Sequence, residues 1–228
     1  MAYRCVATSV AGFVQQLAVG YIAHGYYFYV RGYIPDHKII AQYAVDLSKW
    51  SRSRRKKRGE ASVQYLRYGR FYVIIATHGE HPFFAAEAKQ VRDFRKHPLY
   101  FMGYSVGCRG ARGGGARHAS VRIQRELYQE LKAQFRWVAV RWSIEHLGRE
   151  LRALPYEPYA PVRDQLRGIL RAVNRRRRIA GLDLVPRDAL WWRRVPVKPF
   201  ADAGAEEIAP CPAKSVRNRL WPAMVFDD

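Results

Sequence analysis

The chain begins with a long uncharged stretch, and the last residues of this stretch are aromatic. Residues 5–30 contain no Asp, Glu, Lys or Arg, but polar and glycine positions such as Gln15 and Gly20 interrupt the apolar pattern. A membrane span needs about 20 mostly apolar residues in succession. The pattern therefore favours a short buried helix over 9–17, rather than a signal peptide or a span, followed by a buried strand at 26–30.

Two short strands separated by a glycine turn predict a hairpin further along. Segments 62–67 and 70–77 are rich in β-branched and aromatic residues, and Gly69 between them supplies the positive φ that a tight turn needs. After the hairpin, the spacing of apolar residues over 83–94 predicts a helix. The run at 99–106 then predicts another strand.

Helices are also expected between the first strand and the hairpin, where Asp36 and Asp46 can cap them. The resulting β-α-β-β-α-β order predicts an α+β fold of the ferredoxin-like kind, an antiparallel sheet with helices on one face. We expect the other face to be open and a hairpin strand at 118–123 to be added. Residues 1–123 are predicted to form this sheet core.

The second half of the chain has the pattern of long helices. Apolar residues recur every three or four positions over 127–142, which predicts one long amphipathic helix. A second helix is predicted over 162–180, with Gly181 ending it. We expect residues 124–200 to form a helical extension packed on the sheet core, and residues 201–228 to form a loosely ordered tail.

Composition adds a strong positive charge to this folded body. The 228-residue chain has 40 Lys and Arg against 19 Asp and Glu, a formal net charge of +21. Because 49% of its residues are hydrophobic, it can bury a core, unlike a disordered basic tail. We therefore expect DNA or RNA as the partner, and no membrane. Three widely separated cysteines indicate neither a zinc site nor a disulfide scaffold, which favours a cytoplasmic protein. With the positive charge, this predicts association with the nucleoid or a ribonucleoprotein.

Basic residues are concentrated in short segments suited to phosphate contacts. The run at 52–58 can neutralise several phosphates and release their counterions. The run at 175–178 extends a stripe of arginines spaced by four along the second helix, and glycines at 107–117 could let three arginines close around a phosphate. With two tryptophans beside Arg193 and Arg194, the predicted nucleic-acid contacts are Arg52, Arg54, Arg55, Lys56, Lys57, Arg58, Arg109, Arg112, Arg117, Arg171, Arg175, Arg176, Arg177, Arg178, Trp191, Trp192, Arg193 and Arg194.

Aromatic side chains beside these cations favour contact with unpaired bases. Trp191 and Trp192 precede two arginines, a combination typical of proteins that stack the bases of single strands. Tyrosines on the predicted strands could stack bases in the same way if they lie on the open face of the sheet. These tyrosines are Tyr65, Tyr68, Tyr72, Tyr100 and Tyr104.

One group of residues indicates catalysis instead of binding. His78, Glu80 and His81 follow the predicted third strand and, with His118, could hold a divalent metal such as Mg or Mn or transfer protons. The alternative function is thus a metal-assisted endonuclease or strand-transfer enzyme. A strand-end turn with capping histidines explains the same residues without chemistry. A structural subunit of a ribonucleoprotein is the second alternative.

Overall fold

The computed structural model describes residues 5–34, 57–110, 116–190, 192, 195 and 197–200. The protein is α+β, with antiparallel sheets and several helices, as predicted. It divides into two compact units. Of the described residues, the first unit contains those within 5–99, 106–110, 116–120 and 197–200, and the second contains those within 100–105 and 121–195.

The first unit begins with the predicted helix. Helix α1 (Val10–Gln15) starts at Ser9, whose Oγ accepts a hydrogen bond from the backbone N–H of Gly12 at 2.9 Å. A π-helical stretch, Gln16–Tyr21, continues it, and a 3-10 turn, Ile22–His24, ends at the left-handed Gly25. Among the described residues, no helix combines the length and the apolar composition that crossing a membrane requires.

A four-stranded antiparallel sheet follows, and it contains the predicted hairpin. Its strands lie in the order β2-β3-β1-β4, and Gly69 turns the hairpin with a φ of 56°. The paired register runs from Val63 opposite Ala76 to Tyr68 opposite Phe71. The strands are β1 (Phe28–Tyr33), β2 (Val63–Tyr68), β3 (Phe71–Ala76) and β4 (Arg92–Asp93).

Both faces of this sheet carry buried side chains, so the expected open face was wrong. Tyr29, Leu66 and Val73 are buried on one face, whereas Val30 and Tyr65 are buried on the other. Among the tyrosines proposed to stack bases, three have little accessible surface. Tyr65 is 8% exposed, Tyr68 5% and Tyr104 1%.

The predicted helix over 83–94 is also much shorter than its apolar spacing suggested. Helix α2 (Pro82–Ala86) ends early, and the chain then joins the edge of the sheet as β4. The backbone N–H of Phe94 donates to the carbonyl of Tyr27 at 2.8 Å, and the Phe94 ring stacks on Tyr29 at 4.2 Å. Pairing with a neighbouring strand has overridden local helical periodicity.

The strand predicted over 99–106 is a hairpin instead. Met102 and Gly103, with φ of 44° and 80°, separate β5 (Leu99–Phe101) from β6 (Tyr104–Gly110). Two successive residues of positive φ reverse a chain tightly. Strand β7 (Arg117–Ile123) completes a three-stranded sheet in the order β5-β6-β7, and the division between the units falls within these strands.

Three helices build the core of the second unit. The predicted long helix is two helices, because the chain turns after Val138 and restarts at Ser143, whose Oγ accepts from the His146 N–H at 3.2 Å. The predicted second helix is confirmed, and the left-handed Gly181 follows it. The helices are α3 (Arg125–Val138), α4 (Ile144–Arg152) and α5 (Ala160–Ile179).

Several predictions concern segments outside the described residues. They are the helices expected from Asp36 and Asp46, most of the basic run at 52–58, the middle of the glycine-rich loop and the tail at 201–228.

Candidate nucleic-acid interface

Helix α5 separates an apolar side from a strongly basic side. It has seven arginines and a single acidic residue, Asp164. Val162, Leu166, Ile169 and Val173 recur every three or four residues and are buried in the core of the second unit. The same periodicity leaves a second set of side chains exposed away from the core. These are Arg167, Arg171, Arg175, Arg176 and Arg178.

A basic groove, which we call the α3–α5 groove, lies between these two helices. It has a volume of about 560 Å³ and is lined by five cationic side chains. None of the described residues that line it is acidic. Helix α3 supplies Lys132 and Arg136, and helix α5 supplies Arg171, Arg175 and Arg176.

Gly168 of α5 and Tyr128 of α3 come close together beside this groove. A Cβ added at Gly168 would lie 2.5 Å from the hydroxyl oxygen of Tyr128, so the absence of a side chain leaves room for that hydroxyl. The Lys132 ammonium in turn lies 5.9 Å from the centre of the Tyr128 ring.

The five cations that line the α3–α5 groove repel one another unless anions lie between them. The groove is therefore suited to binding several phosphates.

A second groove follows the other side of α5. It has a volume of about 620 Å³, and its cations are Arg171, Arg175, Arg178 and Arg187. Asn174 of α5 binds the backbone of Val185, which lies across this groove. Its amide nitrogen donates to the Val185 carbonyl at 2.8 Å, and its amide oxygen accepts from the Val185 N–H at 2.9 Å.

A smaller cavity, the Trp192 cavity, lies at the same side of the helix. It has a volume of about 400 Å³ and is lined by three arginines and three apolar side chains. Arg171 lines this cavity and both grooves, which makes it the residue common to all three. The lining residues are Arg167, Leu170, Arg171, Arg187, Leu190 and Trp192.

Arg177 must be removed from the predicted set of nucleic-acid contacts. It is 5% exposed, and its guanidinium donates to the carbonyls of Ala139 at 2.7 Å, Trp142 at 3.0 Å and Asp183. Ala139 and Trp142 follow the end of α3, where helix carbonyls lack partners within the helix. Arg177 therefore caps α3 and stabilises the fold, while its neighbours in the basic run are exposed.

Other predicted cations belong to the first unit or lie outside the described residues. Lys57 and Arg58 are exposed, and Arg58 lies 3.9 Å from the Glu60 carboxylate. Arg109 on β6 and Arg117 on β7 are also exposed. Outside the described residues are Arg52, Arg54, Arg55, Lys56, Arg112, Trp191, Arg193 and Arg194.

The residues predicted to be catalytic occupy a turn and a separate strand. His78 and Glu80 are exposed after β3, and His118 is exposed on β7. His81 precedes α2, and its Nδ1 accepts a hydrogen bond from the backbone N–H of Phe83 at 3.0 Å. Within the part of the chain that is described, no group of three or more His, Cys, Asp or Glu residues could hold a metal ion.

The sequence interpretation missed several cations that line the grooves and the cavity. Lys132 and Arg136 are spaced by four on α3, so they share one helix face, a pattern visible in the sequence. Arg187 belongs to a 3-10 turn and could not be placed beside α5 without the fold.

Comparisons with protein-family models, curated proteins and solved structures found no match to this chain.

Proposed function

We propose that this protein binds nucleic acid, with the second unit holding the phosphate backbone along helix α5. The observation that carries the proposal is the α3–α5 groove, where five cationic side chains meet without an acidic residue among the described lining. A stable fold gains little from concentrating like charges at one surface, whereas a polyanion neutralises them and releases its counterions.

The basic side of α5 suits a continuous backbone better than a single anion. Arg171 and Arg175 line grooves on both sides of the helix, and Arg176 and Arg178 each line one of them. Arginine forms paired hydrogen bonds with phosphate oxygens, and such contacts position a strand without reading its sequence. Association with the nucleoid or with a ribonucleoprotein would follow from such binding.

For the first unit we propose the ferredoxin-like arrangement. The strand order β2-β3-β1-β4 with antiparallel neighbours supports it. The segment that would supply the helix between β1 and β2 lies outside the described residues. Exposed Lys57, Arg58, Arg109 and Arg117 remain proposed phosphate contacts of this unit.

The test is the salt dependence of binding to labelled oligonucleotides, followed by fluorescence anisotropy. If the five groove cations each neutralise one phosphate, they contribute about −3.5 to the slope of log K against log salt for a single strand. We expect Arg171→Gln to make the slope shallower by about 0.7 and to weaken binding severalfold at low salt.

Arg149→Gln is the matched control, since Arg149 is exposed on α4 and lines neither groove. Equal losses of binding affinity in Arg171→Gln and Arg149→Gln would contradict the proposal.

Parallel incubations of the oligonucleotides with Mg²⁺ or Mn²⁺ test the alternative function, a metal-assisted endonuclease. Metal-dependent cleavage that disappears in His78→Ala and His81→Ala would establish the nuclease instead.

A further inference from the structure

The Trp192 cavity differs from the two grooves in the chemistry of its lining. Half of its lining residues are apolar, namely Leu170, Leu190 and Trp192, and the others are arginines. A phosphate alone would gain nothing from the apolar half. A ligand that fits this lining has a flat apolar body joined to an anion.

Trp192 contacts both the core of the second unit and the cavity. Its side chain is half-buried and packs against the apolar core of the second unit, while it also lines the cavity. An aromatic ring that already packs against a core offers a face for stacking at little further cost in side-chain entropy. The cavity volume, about 400 Å³, lies within the range of small-ligand sites and exceeds what one phosphate fills.

The cations at the cavity connect it with the proposed path of the backbone. Arg171 lines the cavity and both grooves, and Arg187 lines the cavity and the second groove. Arg167 pairs with Asp164 at 3.2 Å, but both side chains are exposed, so this ion pair is weak and a phosphate can compete with it. A strand held by α5 would therefore pass the mouth of the cavity.

We propose that the Trp192 cavity accepts an unpaired base of a single-stranded nucleic acid and that this base stacks on Trp192. Arg171 and Arg187 would hold the phosphates of the same strand. The proposal rests on the proposed function, since α5 must already bind the backbone. A base within a duplex is paired and stacked and cannot enter such a cavity without first leaving the helix. The protein should therefore prefer single strands.

The experiment compares the wild-type protein's affinity for two single strands of equal length and charge. One is oligodeoxythymidylate, and the other has the same backbone with abasic sites. We expect about tenfold tighter binding of the strand that carries bases, the effect of stacking one base on an aromatic ring. Equal affinities would overturn the base cavity but leave the proposed function intact. Absence of salt-dependent binding to both strands would instead overturn the proposed function.

Two variants assign any such preference to the cavity. Trp192→Phe keeps an aromatic face and should retain most of the preference, whereas Trp192→Leu keeps apolar packing and should abolish it. Both should bind the abasic strand as the wild type does. A preference that survives in a folded Trp192→Leu protein, checked by its circular dichroism spectrum, would place base stacking elsewhere and overturn the proposal.

Discussion

Adjacent arginines near the end of α5 have opposite roles. Arg176 lines the α3–α5 groove, whereas Arg177 is buried and donates to three backbone carbonyls. Removing a buried donor leaves its acceptors without partners, which costs more than the net value of the bonds. The two side chains therefore form a matched pair in which stability and binding can be separated.

We expect Arg177→Met to lower the free energy of unfolding by about 2 to 4 kcal/mol, because the carbonyls that follow α3 lose their donor. Arg176→Gln should leave stability within about 0.5 kcal/mol of wild type but weaken nucleic-acid binding. Urea unfolding and anisotropy measure the two effects. An unchanged unfolding midpoint in Arg177→Met would contradict the capping role.

Between the elements α3 and α5, Gly168 leaves room for the Tyr128 hydroxyl. Alanine favours a helix by up to about 1 kcal/mol over glycine, so Gly168→Ala should stabilise the protein unless this contact opposes it. Without the hydroxyl, the nearest Tyr128 atom would lie at 3.7 Å from the added Cβ, an ordinary contact.

A double-mutant cycle tests this contact. We expect Gly168→Ala to be about 1 to 2 kcal/mol less favourable in the wild type than in Tyr128→Phe. Additive free energies of unfolding would show that the hydroxyl does not oppose the added methyl group.

The Asp93 carboxylate at the end of β4 makes the stability of the protein depend on pH. Burial opposes ionisation of Asp93, but hydrogen bonds from the Arg95 side chain and backbone outweigh it and hold the pKa of Asp93 below its ordinary value. A lowered pKa in the folded state stabilises the protein above the unfolded pKa, about 3.9, and this contribution is lost as pH falls through the folded value.

Asp93→Asn should therefore be less stable than wild type by about 1 kcal/mol at pH 7, and the difference should vanish at a pH well below 4. Urea unfolding at a series of pH values measures it. A difference that does not change with pH would show that the charge of Asp93 contributes nothing.

At the scale of the molecule, local signals predicted the elements that local forces determine. Gly69 and Gly181 have the positive φ expected where a hairpin turns and a helix ends. By contrast, the edge pairing of β4 depends on β1, which is distant in the sequence. The turn at Met102–Gly103 lacks the Asn or Asp that usually precedes glycine in such turns.

The candidate site was likewise predicted only where neighbouring residues in the sequence determine it. The arginine stripe on α5 has a helical period that the sequence displays, and its exposed members line the grooves or the Trp192 cavity. The groove itself needs the alignment of α3 with α5, so Lys132 and Arg136 were missed. Burial of Arg177 depends on the carbonyls at the end of another helix, which its own sequence neighbours do not indicate.

The most direct test of the account separates where charge lies from how much there is. One variant replaces Lys132, Arg136, Arg171 and Arg175 with glutamine, and its control replaces the exposed Lys89, Lys96, Arg125 and Arg149. Both lose the same net charge. We predict that the salt slope for a single strand becomes shallower by about 3 in the groove variant and stays close to wild type in the control. Equal slopes in the two variants would contradict the account, because binding would then depend on total charge alone.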